Sequence, residues 1–327
     1  MAADSERWTK VKSSADFFEE LDEPHRWSPN SESLGQWILE NRKALRDGGQ
    51  VDLTKKLPES VSFVIAENQS KNPRGYSLSG DAAKQVYSIV RGASPLLILT
   101  PQNDTVHAFR ALFNRSIPIW EGHVRDNLSA LADSMATHEG DAPAVASAMS
   151  TFLASVAVGC SPSSLGTALL TEIRSGCSKL RRGKPGSIQG LARMLVEQPN
   201  HQGVGKVLMR LSELAKTDPA FKGIAIDCSR EFWDAVRLSQ FDTVDDGMAE
   251  LARRRSSLRP SLPLKAISTI HKAKGLETSH VVVMPCDSKH FADTQAARYK
   301  MYVAMSRAMS SLTFVVSRTQ RSPLINL

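Results

Sequence analysis

The chain has 327 residues, a net charge of +7 and an isoelectric point of about 9.3. This length favours two or three domains with sizeable cores, and a content of 41% hydrophobic and 23% charged residues is ordinary for a globular protein. The basic balance favours a polyanionic partner, nucleic acid first, and because no run of 18 apolar residues is present, no membrane span is expected.

The four cysteines are widely scattered and form no C-x-x-C pair. Neither a zinc site nor a disulfide framework is therefore predicted, and no metal site is expected elsewhere in the chain. The first residues, M-A-A-D-S-E-R-W, contain no apolar signal segment. Together these features favour a reducing, cytoplasmic location.

The first segment, residues 1–92, has a mixed pattern that we interpret as a linker with some structure of its own. A helix is predicted over 33–46, a strand over 60–66 and a second helix after it. The apolar stripe of the first helix consists of Leu34, Trp37, Ile38 and Leu45, and that of the second of Ala82, Val86, Ile89 and Val90.

The rest of the chain alternates short apolar runs with helical stretches, which predicts an α/β fold with a parallel sheet. Strands are predicted at 95–100, 117–120, 223–228, 265–269, 280–285 and 312–317, and Asp104 is expected to cap the helix that follows the first of them. Residues 124–220 lack strand patterns and predict an all-helical insertion. The predicted sheet domain is therefore split into 93–123 and 221–327.

Residues 268–277 read S-T-I-H-K-A-K-G-L-E and place polar and basic side chains after a predicted strand. Ligands of open α/β sheets lie at the carboxyl ends of the strands, so we expect the following side chains to surround a ligand there. They are Ser268, Thr269, His271, Lys272 and Lys274. Their groups suit phosphate oxygens, Gly275 permits close backbone approach, and Glu277 can accept from a ribose hydroxyl. The turn is expected to lead into a helix.

Residues 302–308 read Y-V-A-M-S-R-A and predict a helix before the last long strand. Arg307 lies near the end of that helix, where an arginine commonly pairs with the helix dipole. Alternatively, it stabilises charge on a transferring phosphoryl group, as an arginine finger does.

These two stretches, with the strands that follow them, closely resemble the fifth and sixth motifs of the UvrD/Rep-like superfamily 1 DNA helicases. The resemblance implies a second RecA-like motor domain of an ATP-dependent 3′-to-5′ helicase, a type of motor found in DNA repair among other pathways. It implies that Arg307 is the arginine finger and that Gly275 and Glu277 contact nucleotide. It assigns Thr269, His271 and Lys272 to single-stranded or forked DNA.

E-P-H-R-W, residues 23–27, resembles the fourth motif of the same family. By that resemblance Arg26 reaches the γ-phosphate, and His25 stands near the base where the family usually has a tyrosine. The alternative is that Arg26 supports a turn with Pro24.

The 327 residues contain no G-x-x-x-x-G-K-[ST] phosphate cradle. G-V-G-K-V, 203–207, has Val207 where the hydroxyl belongs, and Asp22-Glu23 follows a helical rather than a strand pattern. ATP and Mg²⁺ are therefore expected only together with a first RecA-like domain from another protein or chain segment. Two alternatives stay open: a non-catalytic module that binds single-stranded DNA or a partner, and a truncated product without activity.

Other features have two interpretations each. K-L-R-R-G-K, 179–184, and R-R-R, 253–255, suit either a phosphate backbone or solvent. Trp120 with His123 suits either a stacked base or, for Trp120, the core, and Trp233 is expected in the core.

Overall fold

The protein is represented by a computed structural model that describes residues 10–11, 13–14, 27, 31–67, 75–122, 125–257 and 262–327, without the side chains of 255–257. Its strands are β1 (Val51–Asp52), β2 (Val61–Ala66), β3 (Leu96–Thr100), β4 (Ala157–Val158), β5 (Ala225–Ile226), β6 (Lys265–Thr269), β7 (Thr278–Cys286), β8 (Ala308–Ser317) and β9 (Ile325–Asn326). Five of them form one sheet in the order β2-β8-β7-β3-β6. Every neighbouring pair in this sheet is parallel.

Eleven α-helices lie within the described residues. They are α1 (Glu32–Arg46), α2 (Gly80–Gly92), α3 (Asn103–Leu112), α4 (Asp126–Thr137), α5 (Ala142–Val156), α6 (Thr167–Arg174), α7 (Gly183–Glu197), α8 (His201–Thr217), α9 (Ser229–Leu238), α10 (Val244–Ser257) and α11 (Gln295–Met305). Helices on both faces of a parallel sheet confirm the predicted α/β class and are consistent with the RecA-like fold. No helix in the described ranges is long and apolar enough to cross a membrane.

The central strand β3 shows why the sheet is covered on both faces. All five of its residues are buried, and successive side chains of a strand point to opposite faces. Leu96 and Ile98 join one hydrophobic core together with α2, α3 and the helices after them. Leu97 and Leu99 join the other core with α1 and α11. The apolar run at 95–100 is therefore a strand buried on both sides, as its sequence predicts.

The first segment of the chain contributes to the same sheet. β2 pairs with β8 over its whole length, and β1 pairs with β9 in a small separate ladder. The predicted helix at 33–46 is α1, and its four predicted apolar residues are all buried. In α2 only Val86 and Val90 of the predicted stripe are fully buried.

The helical block, here α4 to α10, extends further than residues 124–220. α9 packs against α8, α4 and α5, and α10 packs against α9 and α4. The prediction of a sheet strand at 223–228 was wrong, because β5 pairs antiparallel with β4 inside this block. The apolar residues of β5 therefore pack within the helical block and do not extend the parallel sheet.

The segment after α3 returns to the edge of the main sheet. Ile119 forms one parallel bridge with Ile267, and the Trp120 N–H donates to the Ile267 carbonyl oxygen at 2.8 Å. The predicted strand at 117–120 is thus a single bridge beside β6. The prediction that Asp104 caps α3 was also wrong, since the helix begins one residue earlier and its N-cap is Gln102.

Candidate functional site

The segment between β6 and β7, residues 270–277, is a turn. It runs from the carboxyl ends of the parallel strands, here called the carboxyl edge of the sheet, back to their amino ends, here called the amino edge. The Thr269 carbonyl accepts from the Ala273 N–H at 3.0 Å, and the Thr269 hydroxyl accepts from the Lys272 N–H at 3.2 Å. Gly275 then has φ = +82°, a conformation that ends right-handed helical geometry and favours glycine. The predicted helix here was therefore wrong, and the chain turns directly into β7.

The carboxyl edge of the sheet holds the residues assigned to DNA. Thr269 is buried at the end of β6, Lys272 is half-buried and His271 is exposed. The Lys272 carbonyl accepts from the Trp120 indole N–H at 3.3 Å, so the position of the turn is fixed against the neighbouring bridge segment. Ser268 is also buried, and its hydroxyl donates to the Thr269 carbonyl at 3.0 Å.

The amino edge holds Arg307, which lies between the end of α11 and the start of β8. Its Nε donates to the carbonyl oxygen of Val303 at 3.1 Å, in the last turn of α11. Its Nη1 donates to the carbonyl oxygen of Leu276 at 3.1 Å, and its Nη2 donates to the hydroxyl of Ser306 at 2.8 Å. The contact with the end of the helix matches the dipole-pairing interpretation of this residue. The contact with Leu276 connects it to the turn.

Glu277 lies beside Arg307 at the amino edge. It is exposed, and the residues on either side of it both bond to Arg307. The Leu276 carbonyl accepts from the Arg307 guanidinium, and the Thr278 N–H donates to the Arg307 carbonyl at 3.1 Å. Gly275, also exposed, lies two residues before Glu277 in the turn. The structure therefore brings Glu277 and Arg307 together at the amino edge, whereas Thr269 ends β6 at the opposite edge with Lys272 bonded to its hydroxyl. The sequence alone does not reveal that these neighbouring residues lie at opposite ends of the strands.

His25, Arg26 and His123, like Asp22-Glu23, lie outside the described residues. Trp27, which follows Arg26 in the chain, is 5% exposed, and its indole N–H donates to the carbonyl oxygen of Ala308. Trp27 therefore packs at the amino edge, where it bonds to Ala308, the residue after Arg307.

A cleft of about 330 Å³ separates the carboxyl edge from the helical block; we call it the interlayer cleft. Its lining from the sheet side and α3 consists of Asn103, Asp104, Val106, His107, Ile119, Trp120, Thr269 and Lys272. Its lining from the helical block and neighbouring loops consists of Asn127, Thr151, Ala154, Ser155, Pro162 and Cys228. The sequence patterns did not predict the contribution of His107, Asn127 or the α5 residues, because the facing wall comes from a distant part of the chain.

A buried ion cluster supports the α3 side of this cleft. Asp227, whose carboxylate is 1% exposed, accepts from His107 Nδ1 at 3.2 Å and Arg110 Nε at 3.1 Å, and also pairs with Arg115. Burial by itself would raise the pKa of Asp227. The hydrogen bond from His107 and the charges of the arginines outweigh burial and lower that pKa. Asp227 is therefore a buried carboxylate that stays ionised.

Two buried acids stand on the helical-block side. Glu121 accepts from the backbone N–H groups of Arg230 at 3.0 Å and Glu231 at 2.9 Å, in the first turn of α9. Glu231 accepts from Asn127 Nδ2 at 2.7 Å through Oε2, while its buried Oε1 has no hydrogen-bond partner among the described residues. Burial raises the pKa of Glu231, although Asn127, Lys272 and Arg125 oppose that shift.

The remaining residues that the sequence singled out lie in the core, within helices or in an exposed loop. Trp120 is 2% exposed and belongs to the core, and Trp233 is half-buried against the other core. Residues 203–207 lie inside α8, where no phosphate-cradling loop exists. Arg253 and Arg254 both bind Glu250 on α10, and residues 179–182 form a loop of exposed side chains before α7.

Comparison with known proteins supports the resemblance. Residues 265–315 match the UvrD-like helicase C-terminal domain, and this segment runs from β6 through the 270–277 turn and Arg307 into β8. No curated protein matches the sequence significantly. The match over residues 265–315 confirms the predicted resemblance to the C-terminal part of the UvrD/Rep-like helicases.

Proposed function

We propose that this chain is the arginine-donating part of an ATP-dependent DNA translocase, with 3′-to-5′ polarity by family resemblance. The observation that carries this proposal is that the 270–277 turn joins the two ends of the parallel strands. One end places Glu277 beside Arg307 at the amino edge, and the other places Thr269, His271 and Lys272 at the carboxyl edge. A single turn thus links a candidate nucleotide contact to a candidate DNA contact.

The described residues do not by themselves fit a Mg·ATP site. They contain no group of three or more His, Cys, Asp or Glu side chains suited to a metal ion, and Arg307 and Glu277 stand without a glycine-rich cradle. Phosphate cradling needs several backbone N–H groups and a lysine. We therefore propose that a P-loop domain from another chain or segment faces the amino edge and binds the nucleotide.

Within such a cleft Arg307 would stabilise charge on the transferring phosphoryl group, and Glu277 would accept from a ribose hydroxyl. The bonds of Arg307 to Val303 and Leu276 hold the guanidinium at one place on the amino edge, which limits the reorganisation needed when charge develops. Arg26, next in sequence to the amino-edge residue Trp27, is proposed as a second arginine for the γ-phosphate, and His25 as a contact near the base.

The test measures DNA-stimulated ATP hydrolysis by this chain mixed with a P-loop domain from the neighbouring reading frame. We expect Arg307→Ala to lower kcat on the order of 10³-fold with a small change in KM, because an arginine finger acts in the transition state. Arg298→Ala is the matched control. Arg298 lies on α11 and binds the Gly49 carbonyl and Asp293, so its loss should leave kcat within a few-fold of the wild type.

Two results would contradict the proposal. One is brisk hydrolysis by this chain alone, because the cradle is assigned to the partner. The other is hydrolysis by the mixture that persists in Arg307→Ala.

The alternative function is a module that holds single-stranded DNA without turnover. The absence of a phosphate-cradle string from the 327 residues favours it. It predicts salt-dependent DNA binding by this chain with no ATPase activity in any mixture.

A further inference from the structure

We propose that the interlayer cleft binds one unstacked nucleobase of single-stranded DNA, with a wall supplied by the helical block. This inference rests on the proposed function, because it assumes that a single strand passes the carboxyl edge at Thr269 and Lys272. The matched segment 265–315 contributes Thr269 and Lys272 to this cleft, and the proposal adds a wall from α3, α4 and α5 that lies outside that segment.

The volume of the cleft suits one base. Ligand pockets in proteins span roughly 300–1,000 Å³, and 330 Å³ is at the low end of that range. A strand with several nucleotides does not fit in this space, whereas one base turned out of the strand does. Base flipping of this kind costs least in a strand that is already unpaired.

The lining combines apolar faces with a polar edge, as a base does. Ala154 of α5 and Pro162 contribute apolar surface from the helical block, while Ile119 and Trp120 line the sheet side as almost fully buried side chains. Polar side chains come from α3 and α4, namely His107 and Asn127. Bases that are splayed out are recognised by contact with their faces and by hydrogen bonds to their edges.

Two of these polar groups are already oriented by buried acids. Because Asp227 is an ionised acceptor, His107 donates to it from Nδ1, which leaves Nε2 of the ring for a ligand. Asn127 donates from Nδ2 to Glu231, which leaves its Oδ1 as an acceptor. These assignments follow from the hydrogen-bond partners. The buried acids thereby orient one donor or acceptor on each of His107 and Asn127 for hydrogen bonds to the edge of a base.

The charge of the lining favours a neutral group over a phosphate. Among the lining residues the cation is Lys272 and the acid is Asp104, so their charges cancel. A polyphosphate needs a net positive site, and this cleft does not offer one. A neutral base inside the cleft, with its phosphate beside Lys272, matches both the neutral lining and the lysine charge.

The α5 wall allows a test that leaves the 270–277 turn unchanged. Ser155 lines the cleft where it meets a second groove between α4 and α5, and Ser155→Phe would fill this space. Ser147→Phe is the matched control, because Ser147 is exposed on the same helix and lines neither space. Should Ser155→Phe fail to fold, Thr151→Phe fills the same space from an exposed position.

The measurement is the Kd of the full chain for a fluorescein-labelled oligothymidylate, and for the same strand with abasic residues, at one fixed salt concentration. We expect Ser155→Phe to raise the Kd for the oligothymidylate at least about fivefold, the low end for the loss of one base contact. For the abasic strand we expect the same Kd in the wild type and Ser155→Phe. Ser147→Phe should match the wild type on both strands.

An unchanged Kd of Ser155→Phe for the oligothymidylate overturns the base site, and so does an equal loss on both strands. Either result leaves DNA binding at the carboxyl edge intact. If the wild-type chain binds neither strand at any salt concentration, the DNA-binding part of the proposed function fails as well, and the two failures are thereby distinguished.

Discussion

Arg307 donates to the Leu276 carbonyl oxygen at 3.1 Å, and its own carbonyl accepts from the Thr278 N–H at 3.1 Å. The arginine therefore binds the chain on both sides of Glu277. This pairing fixes the candidate nucleotide contact relative to β7 and β8 before any partner arrives. It also gives Arg307 a structural role that can be measured separately from catalysis.

Replacing Arg307 with alanine should lower the free energy of unfolding by about 1–2 kcal/mol. Charge-assisted hydrogen bonds to Val303 and Leu276 are lost, but the half-exposed guanidinium is partly solvated, which limits the effect. Urea unfolding followed by circular dichroism measures the change. A variant as stable as the wild type would mean that these bonds contribute nothing to the fold, and that any loss of ATPase activity is purely catalytic.

Gly275→Ala should lower stability by roughly 1–2 kcal/mol, because alanine at φ = +82° adopts an unfavourable left-handed conformation. An added Cβ meets no atom within 4 Å, so the cost is conformational. Gly176→Ala is the control, since Gly176 has φ = +63° and equally open surroundings. We expect similar unfolding free energies for the two variants. Only Gly275→Ala should reduce ATP hydrolysis with a P-loop partner, and equal activities would remove Gly275 from the nucleotide site.

Asp227→Asn should lower the free energy of unfolding by about 3–5 kcal/mol at pH 7, because it leaves Arg110 and Arg115 without their buried carboxylate. The pKa of Asp227 is lowered from its usual value of 3.8 in the folded protein. Its stabilising effect is therefore complete above about pH 4 and is lost as the pH falls through the folded pKa. Urea unfolding of both proteins from pH 7 to pH 3 should show a difference that shrinks below pH 4. A difference independent of pH would contradict the ion cluster.

Glu231→Gln should have the opposite pH dependence. The pKa of Glu231 is raised from its usual value of 4.5 by burial, so the folded state binds the proton more tightly than the unfolded state does. Wild-type stability from this group is present below pH 4.5 and is lost as the pH rises through the folded pKa. The substituted glutamine side chain keeps an acceptor for Asn127 without the buried charge. We expect Glu231→Gln to gain stability relative to wild type between about pH 4 and pH 7 in thermal unfolding, and a flat difference would show that Glu231 titrates normally.

The parts of the fold that the sequence predicted are those set by local pattern. The strands β3, β7 and β8 contain apolar runs, which predict burial on both faces of a sheet. The run at 223–228 has a similar pattern, but its partner β4 lies in the helical block. Local sequence does not encode the partner of a short strand.

The arrangement of the candidate site could not be predicted from the sequence. The spacing of Thr269, Lys272 and Gly275 identifies a turn, yet its crossing to the amino edge depends on the contact of Leu276 with Arg307, 31 residues later. The facing wall of the interlayer cleft was not predictable for the same reason. Ser155 and Lys272 are far apart in sequence, and they line one space only because the helical block packs on that edge.

The role assigned to Lys272 predicts a change in the salt dependence of DNA binding. A lysine that neutralises one phosphate of a single strand contributes about 0.7 to the slope of log Kd against log salt concentration, because it releases condensed counterions. Lys272→Gln should therefore weaken binding of an oligothymidylate and reduce that slope by about this amount. Fluorescence anisotropy across a series of salt concentrations measures both.

Lys216→Gln provides the comparison, since Lys216 is exposed at the end of α8 and does not line the interlayer cleft. It removes the same charge from the chain, so a general effect of net charge would appear equally in both variants. We expect the slope of Lys216→Gln to equal that of the wild type. If Lys272→Gln also retains the wild-type slope, the strand does not pass Lys272, and the carboxyl edge is not the DNA-binding surface.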